Sequence, residues 1–580
     1  VEKKKLISAA LLLALVFGNI VFLFAQQQSL PLNYHHRLYY EKHLHTLDKR
    51  SFHSAVKPYL ASEVYEFVYP DTTYGLEKPD PTTGFKKALG ILGYEDIIRF
   101  DESGYVRGVE IDSSDGEVKL VNKPVTGYKP QKFYISANPI LRLEIGRDQK
   151  NSDNAVYYNM RGVELNVNVG SKVSVYSAFT ENQAAFPEYV RLQVRKFRAA
   201  PGESKVRNFG ERGFDFSRAM GFITYAPNKH FNVQAGHGQH FIGDGFRSLF
   251  LSDNAFVYPY IRFSTQFWKI KYVSIYSEFI NEVQSETDFT LGLPRKLGSF
   301  NYLSLDATKW LQLGAFEGIV WRSTTADGRT FDANFVNPII GIRALQKNLD
   351  ANKVYGLSAK ITLPKYIVLY GQLMVNQLQG GLLGPGNRSG FQAGAKYYDA
   401  FGVKNLNILA EYNRVRPYTY QSATDTVLHY THYNQALAHP MGANFDEMLL
   451  LVNYRYKRLV TELKVNAGTS SIDAKIQVPF FTQGNVGSDI LLSASDANFE
   501  FRDRTRVGQG DARYRLLNAE VRVGYIINPK LNMMIEGRLH VRNYKFDINL
   551  PALDNTDMSM FTVGFNTRLF NHYYDVPVNF

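Results

Sequence analysis

The stretch GDGFRSLFLSDNAFVYPYIRF, residues 243–263, places glycines, serines, acids and an arginine between two aromatic, alternating runs. Three chemistries use such residues. A phosphate cradle needs a glycine loop that opens a helix and carries Lys-Ser/Thr; Gly243-Asp244-Gly245-Phe246-Arg247-Ser248 has no lysine and lies between strands. A calcium loop needs carboxylates at alternate positions and a closing Glu, and Asp244 and Asp253 are too few and too far apart. A serine nucleophile needs a converging base and carboxylate; Ser248, Ser252, His237 and His240 are close in sequence, but no elbow motif surrounds either serine. The expectation is a structural role, with Gly243, Asp244, Gly245, Ser248, Ser252 and Pro259 shaping an inward-folded loop around Leu249-Phe250-Leu251. No catalytic residue is expected.

His35, His36, His43 and His45 lack carboxylates at regular spacing, so a solvated or packed face is expected and no metal. The chain has no cysteine, which excludes disulfides, thiolate metal sites and cysteine nucleophiles. No cofactor is expected.

The elements that carry the loop repeat from about residue 132 to the end. In LLNAEVRVGY, Leu517, Ala519, Val521, Val523 and Tyr525 share one face, and Asn518, Glu520, Arg522 and Gly524 the other. The same split runs through MMIEGRLHVR, LVTELKVNA, GVELNVNVG and MFTVGFNTRLF. Strands of about ten residues, apolar on one face and charged on the other, read as transmembrane barrel strands rather than sandwich strands. Connections alternate short and long, with short turns near Asn228, Lys269, Lys457 and Pro529 and long ones at 183–213, 243–257, 414–446 and 470–513. The predicted fold is all-β, a transmembrane antiparallel β-barrel of about 18 strands, both ends periplasmic, in the outer membrane. Phe580 and an aromatic last strand at 558–570 fit an assembly signal. Inner faces carry Glu and a cation two residues apart (Glu520/Arg522, Glu536/Arg538, Glu462/Lys464), which predicts a largely occluded lumen.

The N-terminal part differs. Lys3-Lys4-Lys5, an apolar run and Ala25 read as a signal peptide, residues 1–25. Residues 26–130 read as a small periplasmic segment. It has one or two short helices, stopped near Pro58 and at Tyr69-Pro70, and a hairpin around SSDG. Residues 131–580 are the barrel. The net charge of +12 comes from basic residues interleaved with acidic ones, and no nucleic-acid partner is expected.

The 243–263 stretch resembles the signature of the Wzi family of capsule-assembly outer-membrane barrels: Gly243, Gly245, Ser248, Leu249, Leu251, Ser252, Asn254, Ala255 and Pro259 match in order. Asp244 replaces a proline, and Phe241 lies near the place of a tryptophan. YNQALAHPMGANFDEMLLLVNYRY, 433–456, resembles a late segment of that family at His439, Gly442 and Asp446. It also looks like the RemB-type gliding-motility proteins of Bacteroidota. The resemblance implies a non-enzymatic barrel that binds or organises surface polysaccharide, with outer-membrane lipid and polysaccharide as partners. Phe246, Tyr258 and Tyr260 would stack on sugars, and Arg247, Asp253, Asn254, His439 and Asn444 would bond hydroxyls or acidic groups. The alternatives are a structural component of a gliding-motility or export machine, which would bind outer-membrane or periplasmic proteins, and a porin or solute channel.

Overall fold

The computed structural model describes residues 29–45, 51–68, 105–111, 118–124, 133–149, 155–169, 172–281, 294–323, 335, 337–344, 350–378, 384–422, 425–473, 484–493, 506–508, 512–528, 533–547, 557–567 and 570–575. The expected signal peptide, the side chains of His35, His36 and His43, and Phe580 lie outside them.

Eighteen strands form one closed antiparallel barrel. In chain order they are β1 (Phe133–Asp148), β2 (Ala155–Val169), β3 (Val173–Ala185), β4 (Gly213–Asn228), β5 (Phe231–Gly238), β6 (Tyr258–Phe267), β7 (Ile270–Ile280), β8 (Arg295–Asp306) and β9 (Leu311–Arg322). There follow β10 (Ala351–Leu363), β11 (Ile367–Gln377), β12 (Arg388–Tyr397), β13 (Leu406–Val415), β14 (Phe445–Tyr456), β15 (Leu459–Ser471), β16 (Arg513–Asn528), β17 (Met533–Phe546) and β18 (Met558–Asn566). Each strand pairs with the next, and β18 closes on β1 from Met560↔Asp148 to Asn566↔Arg142. Closure leaves no unpaired edge, which is what lets a sheet cross lipid. Turns at 229–230, 268–269 and 457–458 mark one end, and the long connections 186–212, 239–257 and 416–444 mark the other.

The alternation holds in three dimensions. Leu517, Val521, Val523 and Tyr525 of β16 point outward and are exposed, while Asn518 and Glu520 between them are buried in the lumen. On β2, Val163, Leu165 and Val169 are exposed and Glu164, Asn166 and Asn168 buried. Among the described residues no helix is long and apolar enough to cross a membrane; the strands do so.

A barrel of this size left empty would enclose an aqueous channel. Here the lumen is filled. Helix α1 (Tyr34–Leu44) and helix α2 (Ala61–Val68) sit inside it near the short-turn end. Glu41 of α1 meets Lys396 at 2.9 Å, Lys42 meets Asp399 at 3.0 Å, and Glu63 of α2 meets Lys271 at 2.8 Å. Helix α1 ends at Leu44, well before Pro58, because residues 51–60 are needed in extended form: Val56 and Lys57 pair with Ile242 and Phe241. Helix α2 ends just before Tyr69-Pro70. Tyr105–Ile111 and Val118–Pro124 pair as a hairpin whose Val109 meets Ile135 of β1. At the other terminus β18 ends at Asn566, earlier than the sequence pattern placed it, and the tail 570–575 turns back into the lumen.

The outward face makes a direct prediction. Val521→Arg, in the middle of β16, should cost about 2–4 kcal/mol of stability in a bilayer. Denaturant titration of protein refolded into lipid vesicles reads this; an unchanged midpoint would mean that this face does not meet hydrocarbon.

Candidate functional site

The loop 239–257 folds down into the barrel, and lumen-facing polar side chains fix its backbone. Gln372 of β11 accepts from the Leu249 amide at 2.8 Å and donates to the Ile242 carbonyl at 3.1 Å. Gln392 of β12 donates to the Arg247 carbonyl at 3.0 Å. Glu411 of β13 accepts from the amides of Phe246 and Arg247 at 2.9 and 3.1 Å, and from the Tyr370 hydroxyl at 2.8 Å. Gly245 has to be glycine, since a Cβ there would stand 2.3 Å from a Glu411 oxygen. The loop's apolar side packs against the wall, with the Phe250 ring stacked on Phe316 at 4.7 Å.

Arg247 is the centre. Its guanidinium, fully buried, lies 2.9 Å from Glu447 of β14 and 2.8 Å from Asp575 of the tail. His439 meets the other Glu447 oxygen at 2.9 Å, and Asn413 and Asn466 each donate to Glu447 at 3.2 Å. Lys464 adds a second cation to Asp575 at 3.3 Å. Burial works against the charge on Arg247, and the carboxylates of Asp575 and Glu447 more than offset it, so its pKa is raised further. Asp244 shows the converse balance. Burial pushes its carboxyl up, while Lys360, Lys57 and the Ser54 hydroxyl outweigh that and hold it below the usual range.

The two stretches singled out in the sequence meet here. The Ser252 amide donates to the Leu437 carbonyl at 2.8 Å, its hydroxyl to the Ala438 carbonyl, and Asn254 to the Ala436 carbonyl at 3.0 Å. Tyr420 and Tyr430 donate to the carbonyls of Leu249 and Phe250, each at 2.8 Å. Gly442 takes a left-handed φ of 73°. Asp253 accepts from Tyr573 and Asn571 of the tail, both at 2.7 Å. Asn444 donates to Ser488 at 2.9 Å and accepts from the Gly508 amide at 2.8 Å.

All eight expected sugar-contacting residues (Phe246, Arg247, Asp253, Asn254, Tyr258, Tyr260, His439 and Asn444) are buried. Tyr258 packs edge-on to Phe279, and Tyr260 donates to Gln234 at 2.6 Å. Gly243 lends its carbonyl to Lys57, Ser248 donates to the Ile242 carbonyl, and Pro259 faces outward on β6. In this conformation these side chains hold a plug together and offer no open surface. Among the described residues no cluster of three or more His, Asp or Glu is placed to hold a metal. His45 is buried and its ring stacks on Tyr398.

Sequence reasoning missed Glu447, Glu411, Asp575 and Gln372. For Glu447 the signal was present: Met448 and Leu450 of β14 are exposed to the outside, so parity puts Glu447 in the lumen and leaves Asp446 on the outward-facing side of the register.

Arg247→Ala should leave Glu447 and Asp575 buried without their main cation, at a cost of about 3–5 kcal/mol. The expected readout is a lowered unfolding midpoint in detergent, with chymotryptic cleavage at the Phe and Leu residues of 239–257 appearing while the barrel still resists heat on a gel. An intact, protease-resistant loop would contradict the central role of this arginine.

No family model matches the chain, and no curated protein matches it. Solved structures do. Wzi, described as an outer-membrane carbohydrate-binding β-barrel involved in group 1 capsule assembly in Escherichia coli, aligns at TM-score 0.54 and 12% identity, covering 93% of this chain and 98% of Wzi. Pseudomonas aeruginosa OprD aligns at TM-score 0.40 and 10% identity over 74% of this chain and 94% of OprD. OpdK of the same organism, solved with vanillate, aligns at 0.40 and 8% over 74% and 97%. The Wzi alignment spans nearly the whole of both chains, and with its own closed 18-stranded sheet, apolar outside and polar within, this chain is an outer-membrane β-barrel.

Proposed function

We propose that this chain binds or organises surface polysaccharide at the outer mouth of an occluded barrel, and that it carries out no covalent chemistry. The observation that carries this reading is the filled lumen. Residues 29–45 and 51–68, the loop segments 239–257, 416–422 and 425–444 and the tail 570–575 occupy the interior, tied to the wall by buried ion pairs such as Arg247–Glu447 and Lys396–Glu41. A solute channel needs a continuous hydrated path, and such pairs oppose one because opening the path separates charges that have few other partners. The structural likeness to Wzi, whose description names carbohydrate binding, supports the same reading. Since the eight residues first expected to touch sugar are buried, polymer contact is assigned to the exposed outer connections that stand on them.

Two measurements test this. Planar bilayers containing the purified protein should show no steady conductance at low voltage, and a large stable current would favour a channel. A strain lacking the protein should shed most of its cell-bound polysaccharide into the medium, with retention restored by the full chain; unchanged retention would remove the proposal.

A further inference from the structure

The outer mouth carries cations in two conditions. Among the described residues some are paired: Arg295 with Glu278 at 2.5 Å, Arg322 with Asp425 at 2.5 Å, Arg515 with Asp547 at 3.4 Å. The connection between β3 and β4 differs. Residues 188–215 hold seven Lys or Arg against four Asp or Glu. Two of those acids are already committed: Glu203 is buried against Arg218 at 3.0 Å and His572 at 3.2 Å, and Glu188 meets Arg191 at 2.5 Å.

The scaffold under these cations is fixed. Helix α3 (Glu188–Phe197) buries Tyr189, Val190, Val194 and Phe197. The Tyr189 hydroxyl donates to the Tyr574 carbonyl at 2.6 Å, and the Arg542 guanidinium lies 4.3 Å from its ring centre. With that face pinned to the plug, Arg191 and Arg195, spaced i, i+4, lie away from it, and Arg198 caps the helix end. The chain then doubles back. Arg198 adopts a left-handed φ of 54°, its carbonyl accepts from the Val206 amide at 3.0 Å, and Ala199 pairs with Lys205. This sets Lys205 and Arg207 beside the end of the helix. Arg195, Lys196, Arg198, Lys205 and Arg207 are all exposed. Lys196 has Asp489 at 3.0 Å; among the described residues Arg195, Lys205 and Arg207 have no carboxylate within 4.0 Å.

Like charges gathered on a rigid base repel one another and create a positive potential that an external anion relieves. We propose that the α3 helix and the turn after it form a docking surface for a polysaccharide bearing carboxylate groups. This rests on the polysaccharide reading above and names the chemical class of the polymer. Repeating acidic sugars meet several cations at once, so weak single contacts add up along the chain. Each contact lies in water and is screened by salt.

The test uses the full chain in detergent, titrated with polygalacturonate and with neutral dextran. Polygalacturonate should bind about tenfold tighter than dextran, lose that advantage at high salt, and weaken about tenfold in the R195E/K205E/R207E variant. R515E, which breaks an exposed pair elsewhere at the mouth, should bind like the parent. If charge reversal prevents assembly, R195Q/K205Q/R207Q gives the same readout with a smaller perturbation. Equal binding of dextran, or full binding by the triple variant, overturns the acidic-polymer assignment and leaves the broader reading standing. Binding of neither polymer by the parent removes both. Binding only to lipopolysaccharide vesicles, lost in the triple variant, reassigns the surface to lipid phosphates and overturns the proposal.

Discussion

Taking a guanidinium out of water is costly, and at Arg247 two carboxylates from distant parts of the chain offset that cost. Glu447 comes from β14 and Asp575 from the segment beyond β18. One side chain thus ties an inward loop, the barrel wall and the C-terminal tail together. Desolvating three charges is costly, and their mutual attraction offsets that cost only while all three are in place. Wall and plug are therefore energetically coupled. The tail that supplies Asp575 follows directly on β18, the strand that closes the sheet on β1.

The lipid-facing half of this architecture was legible in the sequence because nothing in it is negotiable. An outward residue in hydrocarbon has no partner to compensate a charge, so Leu517, Val521 and Val523 face out while Asn518 and Glu520 between them face in. The strand number and the order of short and long connections follow from that period. The lumen obeys no such rule. Acid and cation two positions apart on a strand share a face, yet cross-strand neighbours are as near. Arg522 does take Glu520 of its own strand at 2.6 Å, and Arg142 takes Glu144 at 2.8 Å. Arg538, two residues from Glu536, instead reaches Glu144 across the closure at 3.3 Å, and Lys464, two from Glu462, goes to Asp575. Pairing inside a barrel is a three-dimensional competition, and local spacing does not decide it. The extended run at 51–60 was illegible for the same reason, since its strand partner is a dipeptide almost two hundred residues away.

The family-like residues illustrate what a short motif records. Gly245, Ser252, Asn254, His439 and Gly442 were singled out for their types and order, and the structure uses them to fit one segment against another. Close approach of Gly245 to Glu411 and the bonds from Ser252 and Asn254 to carbonyls 436–438 are demands of packing, and they fix residue identity tightly. A surface that meets a flexible polymer makes looser demands, for which any lysine or arginine in roughly the right place serves. A motif of this kind therefore speaks for the plug and leaves the ligand to the outer connections.

That division has an electrostatic consequence at the mouth. Inside, Arg247, Lys396 and Lys271 are each answered at short range by a carboxylate. Outside, Arg295, Arg322 and Arg515 are answered by Glu278, Asp425 and Asp547. The α3 turn differs: Arg195 stands on a helix whose apolar face is locked to Tyr574 and Arg542, and Lys205 and Arg207 on the turn paired back beside its end. A flexible loop could relax such repulsion by spreading its charges. A helix clamped from beneath cannot, so the repulsion persists until an anion arrives from solution. The buried network that closes the barrel thereby supplies the rigidity that keeps a positive surface concentrated above it.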